Sequence, residues 1–141
     1  MNRENPQVLI QKAQKILKPG FFGKVFGSES SRVDEAVGLY QQAANIYKMN
    51  KDWENAAMCF ENCANLLIKS DEEGAANNYS EAAHCYSFLD KSKQLELLSK
   101  CIGVYENKGK FQQAGKMTQK IANDLEIKEN SPTFSGIGVG S

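Results

Sequence analysis

The sequence predicts an all-α fold, an antiparallel helical-hairpin solenoid of about six helices. Two observations carry this. A pattern of small and large apolar residues recurs every 19 or 20 positions through the middle of the chain. Within each recurrence the apolar residues are three and four apart, the spacing that puts side chains on one face of a helix. A third observation agrees with them: the recurrences are separated by short polar stretches, "MNKD" (49–52), "KSDEEG" (69–74), "LDKSK" (89–93) and "NKGK" (107–110).

The first element is "NPQVLIQKAQKIL", a helix with Val8, Leu9, Ala13, Ile16 and Leu17 on one side, placed to cap the first hairpin. Its lysines and glutamines interrupt the apolar run that a signal peptide needs. "KPGFFGKVFGSES" comes next, loop chemistry that carries Phe21, Phe22, Val25 and Phe26, and a loop is expected over 19–31. The repeats are "EAVGLYQQAANIY" (35–47), "NAAMCFENCANLL" (55–67), "GAANNYSEAAHCY" (74–86) and "QLELLSKCIGVY" (94–105), with a last helix over about 111–127. Tyr40, Phe60, Tyr79, Leu98 and Met117 keep the beat. So do Ala44, Ala64, Ala83, Ile102 and Ile121, and so do Tyr47, Leu67, Tyr86 and Tyr105.

A period of this length accommodates one helix and one short connection. Asp52 and Asp90 are placed to cap the helices that come after them, and Gly109 can take the left-handed conformation that ends one. Glu72 and Glu73 read as capping residues at their turn. Alanine pairs such as Ala43/Ala44 and Ala82/Ala83 let helices approach closely, and the aromatic stripe fills the gaps as core. The architecture expected is of the tetratricopeptide type, a right-handed twisted sheet of helices. It is organised as one helical-repeat domain over 1–129 and a Gly/Ser-rich tail, "NSPTFSGIGVGS", read as disordered over 130–141.

Composition narrows the function classes. Net charge is zero, but its distribution is uneven: +3 over residues 1–50, −6 over 51–90, +5 over 91–120 and −2 beyond. The basic third is a surface for an acidic partner. Four cysteines (Cys59, Cys63, Cys85, Cys101) lack metal-knuckle spacing and read as reduced, buried side chains, and His84 is the single histidine. No phosphate loop, nucleophile elbow or metal motif occurs, so neither catalysis nor a cofactor nor a metal is expected. Nucleic-acid binding is not expected of a neutral chain with its aromatics in the core.

These residues resemble a known family. An apolar first helix, the loop "GFFGKVFGS", then "DEAVGLYQQAANIYKMNKDWENAAMCF" (34–60) and "CIGVYENKGKFQQAGK" (101–116) are similar to the soluble NSF attachment proteins of the alpha class, over about residues 7–129. The resemblance implies an adaptor without an active site. It would coat an assembled SNARE four-helix bundle and recruit the hexameric AAA ATPase of the NSF type that pulls the bundle apart. It would be cytoplasmic and peripherally associated with membranes. Lys110 and Lys116 match family positions that are basic on the bundle-binding face, and Lys93, Lys100, Lys108 and Lys120 lie near them in sequence.

The resemblance also makes the loop a membrane contact, through Phe21, Phe22, Lys24, Val25 and Phe26. Burying one phenylalanine contributes roughly 2–3 kcal/mol at best. A nearby lysine adds about 1 kcal/mol on anionic lipid. The family's later repeats, which meet the ATPase, have no counterpart after residue 129, so impaired recruitment is expected. Two other readings stay open at this point: a tetratricopeptide-like peptide-binding scaffold, and a shortened competitor that binds SNAREs without recruiting the motor.

Overall fold

The computed structural model describes residues 5–18 and 28–129, with side chains through residue 123. Six helices succeed one another: α1 (Pro6–Leu17), α2 (Glu29–Met49), α3 (Trp53–Leu67), α4 (Glu72–Tyr86), α5 (Lys91–Asn107) and α6 (Phe111–Glu129). The described residues contain no strand. None of their helices is long and apolar enough to cross a membrane. The loop residues Phe21, Phe22, Lys24, Val25 and Phe26 and the tail 130–141 lie outside the described residues.

Local chemistry explains the helix starts. The Asn5 side chain accepts from Gln7 N at 2.8 Å, and Pro6 occupies the first helical position. Ser28 Oγ accepts from Ser31 N at 3.1 Å. This cap starts α2 at Glu29, three residues inside the loop expected over 19–31. Asp52 and Asp90 cap α3 and α5 as expected, accepting from Asn55 N and from Ser92 and Lys93 N. At α4 the cap is Asp71, which accepts from Gly74 N at 3.0 Å. Glu72 and Glu73 are therefore not caps; they occupy the first helical turn. Each cap contributes about 1 kcal/mol.

Two helices end in the same way. Lys51 N donates to Lys48 O and Asp52 N to Tyr47 O, with Lys51 at φ 60°. Gly109 N donates to Glu106 O and Lys110 N to Tyr105 O, with Gly109 at φ 75°. Both are Schellman turns, which need a left-handed residue just past the helix. Gly109 is the residue type the geometry asks for, and Lys51 is not.

Each helix packs on the one before it, α1 on α2 through α5 on α6. The turns between α2 and α6 are short and each helix packs along the next, so neighbouring helices run antiparallel. Tyr40, Phe60, Tyr79 and Leu98 are buried, while Met117 on the last helix is half-buried. Ala43, Ala44, Ala56, Ala57, Ala75, Ala76, Ala82 and Ala83 are all sealed from solvent. On α1, Leu9, Ala13 and Ile16 are buried and Leu17 is partly so. Val8, expected on the same side, is exposed, because it lies at the margin of the narrow stripe that faces α2.

Polar contacts tie alternate helices together. Across α3, Gln41 Nε2 on α2 donates to Asn78 Oδ1 on α4 at 3.3 Å, and Lys48 Nζ meets Glu81 at 3.1 Å. The hairpins also repeat their cysteine contacts. Cys63 Sγ on α3 points to Val37 O on α2, and Cys101 Sγ on α5 points to Ala76 O on α4.

Candidate interaction surface

The six lysines expected to form a basic face sort into three settings. Lys93 and Lys100 stand on α5, seven residues or two helical turns apart, on the flank that faces α4. The Lys93 ammonium sits 5.7 Å from the centre of the Tyr86 ring, and that of Lys100 sits 5.1 Å from the centre of the Tyr79 ring. Both are within cation–π range. The two tyrosines are held from the other side by α3. Tyr86 Oη donates to Glu61 Oε1 at 2.8 Å, and Tyr79 Oη donates to Asn65 Oδ1 at 2.9 Å. Two parallel rungs result, each running acceptor, tyrosine, lysine across α3, α4 and α5. Burial raises both phenols. Tyr86 is pushed up to about 12, first by burial, then by its hydrogen bond to Glu61 and the negative charges of Glu61, Glu54 and Asp90.

Lys108 and Lys110 flank Gly109 in the turn between α5 and α6. They meet the first turn of α4: Lys108 Nζ is 3.8 Å from Glu72 Oε1, and Lys110 Nζ is 2.7 Å from Glu73 Oε2. A surface hollow of about 460 Å³ adjoins these pairs, lined by Lys69, Asp71, Glu72, Glu73 and Lys108 among others.

Lys116 and Lys120 are exposed on α6, one turn apart on the same side. Among the described residues no carboxylate lies within ion-pairing distance of Lys93, Lys100, Lys116 or Lys120. The structure therefore breaks the basic stretch of the sequence into a seated pair, a paired-off pair and an open pair. The acidic stretch 51–90 folds against it and supplies Glu61, Glu72 and Glu73.

The phenylalanine-bearing segment joins Lys18 to Ser28. Ser28 precedes the N-terminus of α2, which meets the end of α3: Glu29, Ser30 and Val33 line one hollow with Leu66, Lys69 and Ser70. This is the end of the array where the α3–α4 and α5–α6 turns lie. At the other end stands an aromatic cluster that the sequence does not announce. Trp53 stacks on Phe88, 4.3 Å between ring centres at 14°, and His84 meets both rings edge-on. Phe88 stays 55% exposed. The members come from two turns far apart in the chain, so no local pattern marks them as neighbours.

The thiols are not chemically poised. Cys59, Cys63, Cys85 and Cys101 are fully buried. Burial pushes Cys59 and Cys63 up to about 12, and Cys85 and Cys101 up to about 11. A reactive or metal-binding cysteine has the opposite tendency. No group of three or more potential metal ligands occurs among the described residues.

Comparison with known proteins places this array. The family model for the soluble NSF attachment protein, SNAP, matches residues 4–133. The vesicular-fusion protein SEC17 of Komagataella phaffii is 35% identical over 127 residues, covering 88% of this chain and 43% of that protein. The human alpha-soluble NSF attachment protein is 31% identical over 123 residues, covering 85% of this chain and 41% of its own length. A fowlpox virus homologue is 30% identical over 115 residues, with 80% and 41% covered. The chain thus spans less than half the length of these curated relatives. With capped antiparallel helices in repeat and a family match over nearly all of its residues, the chain belongs to the soluble NSF attachment protein family.

Proposed function

We propose that this chain is a SNARE-bundle adaptor in vesicle fusion. It binds the assembled four-helix bundle at a membrane, as a peripheral protein of the cytoplasmic side, and serves the recruitment of an NSF-type AAA ATPase. The observation that carries this reading is the family match over residues 4–133. The bundle is met by the lysines of α5, α6 and the turn between them, Lys93, Lys100, Lys108, Lys110, Lys116 and Lys120, and the membrane by Phe21, Phe22, Lys24, Val25 and Phe26. The chain's own part is binding and positioning, not catalysis.

The chemistry of the surface supports this assignment. Lysines on an exposed helical face accelerate encounter with an acidic coiled coil and make it salt-sensitive, more than they add affinity. Rings on a loop partition weakly into lipid, with a strength comparable to one acyl chain, which is marginal alone and useful beside a second contact. The two halves of the surface are expected to cooperate for that reason.

Flotation with liposomes, bare and carrying an assembled SNARE bundle, tests the reading. The expected result is strong recovery only with the bundle, reduced by Phe21→Ser/Phe22→Ser and by added salt. Equal absence from both kinds of liposome would overturn it. Addition of the ATPase to the bundle-bound chain then measures recruitment directly.

A further inference from the structure

The two carboxylates at the start of α4 have a place in this surface that helix capping does not explain. Asp71 already caps α4, so Glu72 and Glu73 are left over from that task. Both reach across to the α5–α6 turn, where Glu73 holds Lys110 at 2.7 Å and Glu72 stands 3.8 Å from Lys108. All four side chains remain between about a third and a half exposed, so water and a partner can reach them. The hollow beside them, lined by Lys69 and Lys108, is open to a side chain from outside.

We infer that Glu72 and Glu73 act as an internal competitor for the acidic partner of this surface: they occupy Lys108 and Lys110 in the free chain and are displaced when a helical bundle presents its own carboxylates. The inference rests on the proposed bundle-binding role of these lysines. Its content is specificity. A sparsely charged surface cannot outbid two carboxylates that the fold holds in place. A bundle with carboxylates repeated along its helices can, because several of its contacts form together. Lys93 and Lys100 need no such exchange, since their seats are neutral tyrosine rings. They give the incoming bundle a first foothold, and Lys108 and Lys110 then exchange partners. The pairs are solvent-accessible and weak enough to exchange, as exposed ion pairs are.

The test compares the full chain with Glu72→Gln/Glu73→Gln for binding to a soluble assembled SNARE bundle, across a range of salt. The double-glutamine variant is expected to bind roughly threefold to tenfold more tightly at low salt, with the gain vanishing at high salt. In the background Lys108→Gln/Lys110→Gln the same glutamate changes are expected to lose most of that gain, since the competitor then has nothing to occupy. Thermal melts of each variant report whether the helix array is intact. An unchanged or weaker affinity of a folded Glu72→Gln/Glu73→Gln chain overturns the inference. So does an equal gain in the Lys108→Gln/Lys110→Gln background, which signals a general charge effect. If the unaltered chain and the variant both ignore the bundle, the adaptor reading itself fails and this inference falls with it.

Discussion

Lys51 sits where the backbone asks for glycine. Its φ of 60° is the left-handed region, and its side chain makes that conformation costly. Replacing Lys51 with glycine removes the Cβ clash and is expected to stabilise the chain by up to about 1 kcal/mol, seen as a rise in the thermal midpoint. Gly109→Ala in the equivalent turn is expected to lower it by a similar amount. A fall in stability for Lys51→Gly would mean that its side chain makes a contact worth more than the strain. Gly109 is legible in the sequence, because glycine advertises such a position, and Lys51 is not, because lysine does not.

The cysteines make a second residue-scale prediction. Cys59 and Cys63 are pushed from an ordinary 9.0 up to about 12 by burial, and Cys85 and Cys101 up to about 11. In the unfolded chain the same thiols ionise near their ordinary value. Above about pH 9 the unfolded state therefore holds fewer protons than the folded state, and stability falls as pH rises. Denaturant midpoints measured from pH 8 upward are expected to decline beyond about pH 9. Tyr86, also pushed up to about 12 from an ordinary 10.0, steepens the decline at the upper end. Below that range the native thiols should resist alkylation; rapid labelling of the folded chain near neutral pH would contradict their burial.

At the scale of the element, helix spacing is set by alanine. Ala44 on α2, Ala64 on α3 and Ala83 on α4 have essentially no exposed surface, and each stands where a neighbouring helix passes. Ala64→Leu is expected to destabilise by about 1–3 kcal/mol, because the added atoms must push two helices apart. Leu97→Ala makes the opposite error, a cavity in a fully buried position, and is expected to cost about 2–5 kcal/mol. Denaturant unfolding of both variants checks the pair; a neutral Ala64→Leu would show that the array opens without penalty. Ala44, Ala64 and Ala83 are legible in the sequence because the 19-residue beat already puts them on the inner face; Leu97, beside the beat residue Leu98, is not marked by it. The caps Asp52 and Asp90 are legible too. The start of α2 falls earlier than expected, because a Ser-Glu-Ser run reads as loop until one sees that the Ser28 side chain takes a backbone N–H of the first turn.

The whole molecule decides which charges are free to act. Residues 51–90 carry eight acidic groups against two basic, and residues 91–120 carry seven basic against two acidic. Along the chain these are two opposed patches. In the array α4 lies beside α5, so part of each patch neutralises the other. The stability of the fold is expected to respond little to ionic strength, since exposed pairs contribute at most about 1 kcal/mol each. The proposed bundle binding is expected to fall steeply with salt, because on that reading it relies on encounter between charged surfaces. Thermal melts and binding isotherms across one salt series separate the two. A fold that melts as steeply with salt as the complex dissociates would place the same ion pairs in both roles.

The sequence by itself determined the helices, their order and, Val8 apart, the inner face it assigned to each. Those properties depend on residues within a turn or two of one another, and a period of three and four residues records them directly. It also carried the family, through a loop and two stretches of repeat whose residues stand in the right order. The tertiary structure alone decided which lysines are seated, paired or open. Glu73 and Lys110 are 37 positions apart in the chain, and Glu61, Tyr86 and Lys93 come from three different helices. Contacts of that kind are fixed by the angle and register of helix against helix, which side-chain volumes set jointly across the core and no local pattern spells out.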